Sequence, residues 1–164
     1  MQIMTDYIAT RWYRSPEVLL GSPNYSKPSD IWAFGCTLVE LYIGKPAFPG
    51  QSTLNQLARI IEVTGLPSEL DLAKLSSPLT YGMFQTLDVP ANHKTLKELV
   101  KSDDPLLLDL LKRILVFSPD ERITIEKLLK HPYFEAHHDE ELEYKNNKRL
   151  TTEGQYNSLQ EIRQ

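Results

Sequence analysis

Apolar positions recur with helical spacing in several stretches of the chain, separated by segments rich in proline, serine and charge. The run from Ser29 to Tyr42, SDIWAFGCTLVELY, is apolar on almost every side, the pattern of a helix surrounded by other elements. Gly44 supplies a C-terminal stop, and Pro46 and Pro49 keep the helix from resuming. A second helix, from about Ser52 to Val63, puts Leu54, Leu57, Ile60 and Ile61 on one stripe, with Ser52 or Thr53 as its N-cap. Asp104 followed by Pro105 is a cap and first-position pair that opens an apolar helix through Leu115. Thr124 caps a last helix, Ile125 to Lys130, which Pro132 ends.

The remaining segments lack such a period. Met1 to Asn24 is dense in Thr, Arg, Tyr and Pro and reads as a structured loop of the kind that carries function. Between Thr64 and Lys101 the scattered prolines and short apolar clusters predict an irregular insert with one or two short helices. From His137 to Gln164 the chain is charged and polar, a tail. Strand signals are almost absent, so the pattern predicts a mainly α domain of four or five helices joined by long loops.

Composition narrows the class without naming it. With 164 residues, 41% hydrophobic and 24% charged, the chain is sized and mixed for one soluble globular core. The formal charge of −4 argues against a general nucleic-acid binder, which needs clustered surplus cations. Cys36 is the sole cysteine, so no internal disulfide forms and a reducing setting, cytoplasm or nucleus, is expected. Asp6, Arg11, Arg14 and Glu17 leave no apolar core for a signal peptide in the first stretch. Leu106 to Phe117, the most apolar later window, is too short to span a bilayer and is broken by Asp109, Lys112 and Arg113, so no membrane partner is expected.

The opening loop holds the most suggestive chemistry. Phosphates on Thr5 and Tyr7 would add several negative charges, and Arg11 and Arg14 lie close enough in sequence to present bidentate guanidinium groups to them. Asp30, at the start of the apolar run, suits a helix N-terminus. His131, His137 and His138 are joined by no cysteine or well-spaced carboxylate cluster, so no metal site is expected. Asp139, Glu140, Glu141 and Glu143 make an acidic stretch that reads either as a solvated face or as a docking site for basic peptides.

The segment TDYIATRWYRSPEVLL, Thr5 to Leu20, resembles the activation segment of MAP kinases, where a T-x-Y pair precedes A-T-R-W-Y-R-A-P-E. The resemblance continues in order through SDIWAFGC (Ser29 to Cys36), GKPAFPG (Gly44 to Gly50), SPDERIT (Ser118 to Thr124) and HPYF (His131 to Phe134). STLNQL (Ser52 to Leu57) and LVFSPDER (Leu115 to Arg122) look most like the atypical extracellular-signal-regulated branch. The implied fold is the helical C-terminal lobe of a protein kinase, incomplete and without the small lobe. Residues 1–134 would be a partial kinase domain with the activation segment at 1–17, followed by a tail at 135–164.

By that resemblance Thr5 and Tyr7 are the phosphorylation switch, and Arg11 and Arg14 hold the phosphotyrosine. Ala9, Arg11, Trp12 and Arg14 match the pocket for the residue after the phosphoacceptor, which accepts proline because proline has no N–H to satisfy. Thr10 matches the threonine that touches the catalytic loop. Glu17 matches the A-P-E glutamate that pairs with the arginine matched by Arg122; Ser15 departs from the usual alanine. Asp30 would anchor the catalytic-loop backbone, and the 139–143 acidic stretch lies near the place of an acidic docking site.

Phosphoryl transfer also needs a Gly-rich loop, a strand lysine, an H-R-D loop and D-F-G, and none of these occurs between Met1 and Gln164. ATP and Mg2+ are therefore expected to be held by upstream residues of a complete kinase and not by this chain alone, which is expected to be inactive. The central helix is expected to expose apolar residues on the side those residues would cover. The implied partners are proteins with Ser-Pro or Thr-Pro sites, an upstream activating kinase, and a phosphatase or basic docking peptides. The alternative is a non-catalytic module that displays the activation segment and acidic tail to such partners.

Overall fold

Serine, threonine and aspartate caps set where this chain turns helical. The computed structural model describes residues 11–23, 26–89 and 92–137. Its helices are α1 (Pro16–Leu19), α2 (Lys27–Ile43), α3 (Thr53–Thr64), α4 (Glu69–Lys74), α5 (Pro78–Gln85), α6 (Leu96–Val100), α7 (Pro105–Ile114) and α8 (Ile125–Leu129), with 3-10 turns at Pro119–Glu121 and Pro132–His137. Ser52 accepts from the Asn55 N–H, Asp104 from Leu106 and Leu107, and Thr124 from Lys127. Ser68 and Thr95 each build a capping box, with Asp71 and Glu98 reaching back to the cap N–H. Gly44, in the left-handed conformation, ends α2 by returning its N–H to the Glu40 carbonyl.

Three helices supply most of the core. Trp32, Cys36 and Val39 of α2, Leu57, Ile60 and Ile61 of α3, and Leu107, Leu110, Leu111 and Ile114 of α7 are fully buried. Each such side chain contributes about 1.5–3 kcal/mol of burial. Helix α7 packs on α2, and α6 packs on both. The approach is close enough that a Cβ on Gly35 would overlap the Ile114 side chain. Trp32 stacks on Phe48 with ring centres 5.8 Å apart, which folds the Gly44 to Gly50 loop back onto the central helix.

The architecture is helical, with no strand among the described residues, and several sequence expectations change in detail. Eight α-helices occur among the described residues where four or five were expected. The opening segment is not all loop: Pro16, preset for the first helical position, starts α1. The insert holds three short helices, not one or two, because Ser68, Ser77 and Thr95 each cap a turn too short to show a hydrophobic period. Pro132 does not merely end α8; it opens a 3-10 turn. The central helix is not enclosed all round. Phe34 is 39% exposed and Leu41 76%, both on the face that begins at Asp30. Among the described residues no helix is long and apolar enough to cross a membrane.

Candidate functional site

Glu17 and Arg122, 105 positions apart, meet in the interior. Arg122 Nη1 donates to Glu17 Oε1 at 2.7 Å and Nη2 to Oε2 at 2.6 Å, a bidentate pair with both side chains essentially inaccessible. The other guanidinium hydrogens are used as well: Nε donates to the Val116 carbonyl at 2.8 Å, Nη1 to Pro28 at 2.9 Å and Nη2 to Phe117 at 3.0 Å. Ser29 Oγ donates to Glu17 Oε1 at 2.9 Å. The guanidinium carbon lies 5.1 Å from the centre of the Trp32 ring. Burial pushes the Glu17 carboxyl up, but the hydrogen bonds and charge of Arg122 outweigh it and hold the group below the usual carboxylate range. One arginine thus ties α1, the first turn of α2 and the chain leaving α7 into a unit.

A second fastening lies at the other end of the Arg11 to Leu20 segment. Trp12 Nε1 donates to the Gly50 carbonyl at 3.1 Å, and Gln56 Nε2 donates to the Trp12 carbonyl at 3.3 Å. Gln56 Oε1 in turn accepts the Gly50 N–H at 2.9 Å. Gln56 is fully buried, and a Cβ on Gly50 would overlap its side chain and backbone, so only glycine allows this approach. Arg11 Nη1 donates to the Gln51 carbonyl at 3.0 Å. Beside them Tyr13 donates its hydroxyl to Glu40 Oε2 at 2.5 Å, and that bond pushes the phenol up to about 12.

The structure therefore brings Arg11, Trp12, Glu17 and Arg122 onto one continuous platform, with Arg14 half-buried beside them. Asp30 is exposed in the first turn of α2. Thr5, Tyr7, Ala9 and Thr10, and the acidic stretch Asp139, Glu140, Glu141 and Glu143, lie outside the described residues. Sequence reasoning missed Gln56, Gly50 and Ser29. Gln56 could have been found, because it is a polar residue four positions before Ile60 on the stripe that α3 buries. His131 is structural: Nε2 lies 2.9 Å from Asp109 Oδ2, and Nδ1 accepts the Tyr133 N–H at 3.2 Å.

No group of three or more His, Cys, Asp or Glu side chains placed to hold a metal occurs among the described residues. What the platform can do is present a turn and a fixed indole beside Arg11 and Arg14.

The family model described as "Protein kinase domain" matches residues 1–134. An extracellular signal-regulated kinase 2 of Dictyostelium discoideum is 48% identical over 137 residues, covering 84% of this chain and 37% of that protein. The mitogen-activated protein kinase MKC1 of Candida albicans is 43% identical over 142 residues, covering 85% of this chain and 28% of that one. Among solved structures, the MAP kinase LmaMPK10 of Leishmania major superposes with a TM-score of 0.75 at 35% identity, over 81% of this chain and 43% of that one. The chain belongs to the protein kinase family, in its MAP kinase branch. It spans about a third of the length of these curated relatives.

Proposed function

We propose that this chain is the substrate-platform portion of a proline-directed serine/threonine protein kinase, one that transfers a phosphoryl group from ATP to Ser-Pro or Thr-Pro sites in signalling proteins. The observation that supports this best is the double fastening of the Arg11 to Leu20 segment, by the Glu17–Arg122 pair at one end and by Gln56 and Gly50 at the other. A segment held at both ends loses little further freedom when a peptide lies along it. Trp12, fixed through both its indole N–H and its carbonyl, shapes the place of the residue after the phosphoacceptor. There a proline is accepted because it brings no N–H that would need a partner.

In this reading Thr5 and Tyr7 are phosphorylated by an upstream kinase, and Arg11 and Arg14 hold the phosphate on Tyr7. Residues outside this chain hold ATP and Mg2+. The acidic residues Asp139, Glu140, Glu141 and Glu143 receive basic docking peptides of substrates or phosphatases, and the protein works in the cytoplasm or nucleus. The test uses the endogenous protein, captured with an antibody to residues 143–164. It should run well above the mass of a 164-residue chain and phosphorylate a Ser-Pro peptide but not its Ser-Ala counterpart, with activity falling to background in Thr5→Ala and Tyr7→Phe. A native product of 164 residues with no transfer activity would instead support the non-catalytic module.

A further inference from the structure

The loop that fastens Trp12 on one side forms, on its other side, the wall of a separate groove. Its volume is about 350 Å³, and Pro46, Ala47 and Pro49 of the loop, with Ile43 and Leu99, give it apolar walls. Around them stand Lys45, Arg59, Lys94 and Lys101, drawn from the loop, from α3 and from both sides of α6. Among the described residues that line the groove, Glu98 is the one carboxylate, and its Oε2 is taken up by the Thr95 N–H at 2.7 Å and the Thr95 hydroxyl at 2.8 Å. Asn55 Oδ1 receives Arg59 Nε at 3.1 Å and so steers the guanidinium. Arg59 and Lys94 are half-buried, which brings their charges against low-dielectric walls where an opposite charge is felt more strongly.

Four cations to one occupied carboxylate is a reversal of sign in a chain whose formal charge is −4. We propose that this groove is a docking site for an extended acidic peptide segment of a partner protein, with aliphatic or proline side chains on the apolar walls and carboxylates on the four cations. The net negative chain disfavours a nucleic acid, and the volume suits a few side chains. The site is distinct from the platform, and its sign is opposite to that of the acidic 139–143 stretch, whose charge suits basic peptides, so the chain would read partners of both signs.

The test is fluorescence anisotropy on the full 164-residue chain with a fluorescein-labelled octapeptide carrying glutamates around a central Ile-Pro. The assay needs no phosphoryl transfer, so its failure leaves the kinase reading standing, and the reverse holds too. Binding should weaken about tenfold or more in Arg59→Glu with Lys94→Glu, and should weaken as salt is raised. Lys112→Glu with Lys130→Glu, on another surface, should leave it unchanged. If the first variant loses its far-UV helical spectrum, the exposed pair Lys45→Glu with Lys101→Glu takes its place. Equal binding by groove variants and parent, equal loss in the Lys112 and Lys130 control, or equal binding of a lysine-for-glutamate peptide overturns the proposal. Binding that emerges only when Asp139, Glu140, Glu141 and Glu143 are neutralised assigns the groove to the chain's own tail, and overturns the partner assignment.

Discussion

The two fastenings of the platform solve the same mechanical problem with opposite chemistry. At the Glu17 end a full ion pair is taken out of water, and it is stable there because every guanidinium hydrogen and both carboxylate oxygens find partners. At the Trp12 end the fastening holds no ion pair: one buried glutamine amide bridges the Trp12 carbonyl and the Gly50 N–H, which it shares with the Phe48 carbonyl at 2.9 Å. The ionic end is costly to break by halves and sensitive to pH. The neutral end is cheaper, insensitive to pH, and dependent on glycine because of its tightness.

Mutations that halve each fastening should separate the two. Arg122→Ala leaves Glu17 buried without its countercharge and should cost about 3–5 kcal/mol in urea denaturation. Gln56→Leu takes the amide donor from the Trp12 carbonyl and leaves the Gly50 N–H with the Phe48 carbonyl alone, and should cost about 1–3 kcal/mol, together with a change in tryptophan emission as the indole of Trp12 loosens. Gly50→Ala pushes a Cβ into Gln56 and should cost about 1–3 kcal/mol by overpacking, without the pH dependence of the ionic end.

The pH response sharpens the contrast further. The Glu17 carboxyl is lowered in the folded chain relative to an unfolded value of about 4.3. Its contribution is therefore complete above that unfolded value and is lost as pH falls through the lower folded one. Urea midpoints measured downward from pH 7 should fall in that acid window, and Glu17→Gln should flatten that part of the profile. Tyr13 titrates in the opposite direction. Its hydroxyl, raised from 10.0 to about 12 by Glu40, contributes below the unfolded value and loses the contribution as pH rises through about 12. Tyr13→Phe should be the smallest effect, about 0.5–1.5 kcal/mol at neutral pH.

What could be read from the sequence follows from how local each signal is. The helices α2, α3 and α7 were legible because their caps and apolar stripes lie within one segment, Ser52 and Asp104 above all. The short helices α4 to α6 were not resolved individually, since five to eight residues are too few to display a period. Glu17 and Arg122 could be paired from the family motifs, because spacing alone says nothing across 105 positions. Gln56 escaped because its meaning lies in Trp12 and Gly50, 44 and 6 positions away. Asp30 fits a helix start as its position suggested, but it lies on the exposed face of α2 with Phe34 and Leu41.

The most direct test of the platform's ionic fastening is a double-mutant cycle on Glu17 and Arg122. Stability would be measured by urea denaturation for Glu17→Met, Arg122→Met and the two together. If the pair acts as one buried unit, each single change strands a charge and the double variant loses far less than the sum of the two. Losses that simply add would mean that Glu17 and Arg122 act independently, and that the platform is held by something other than this pair.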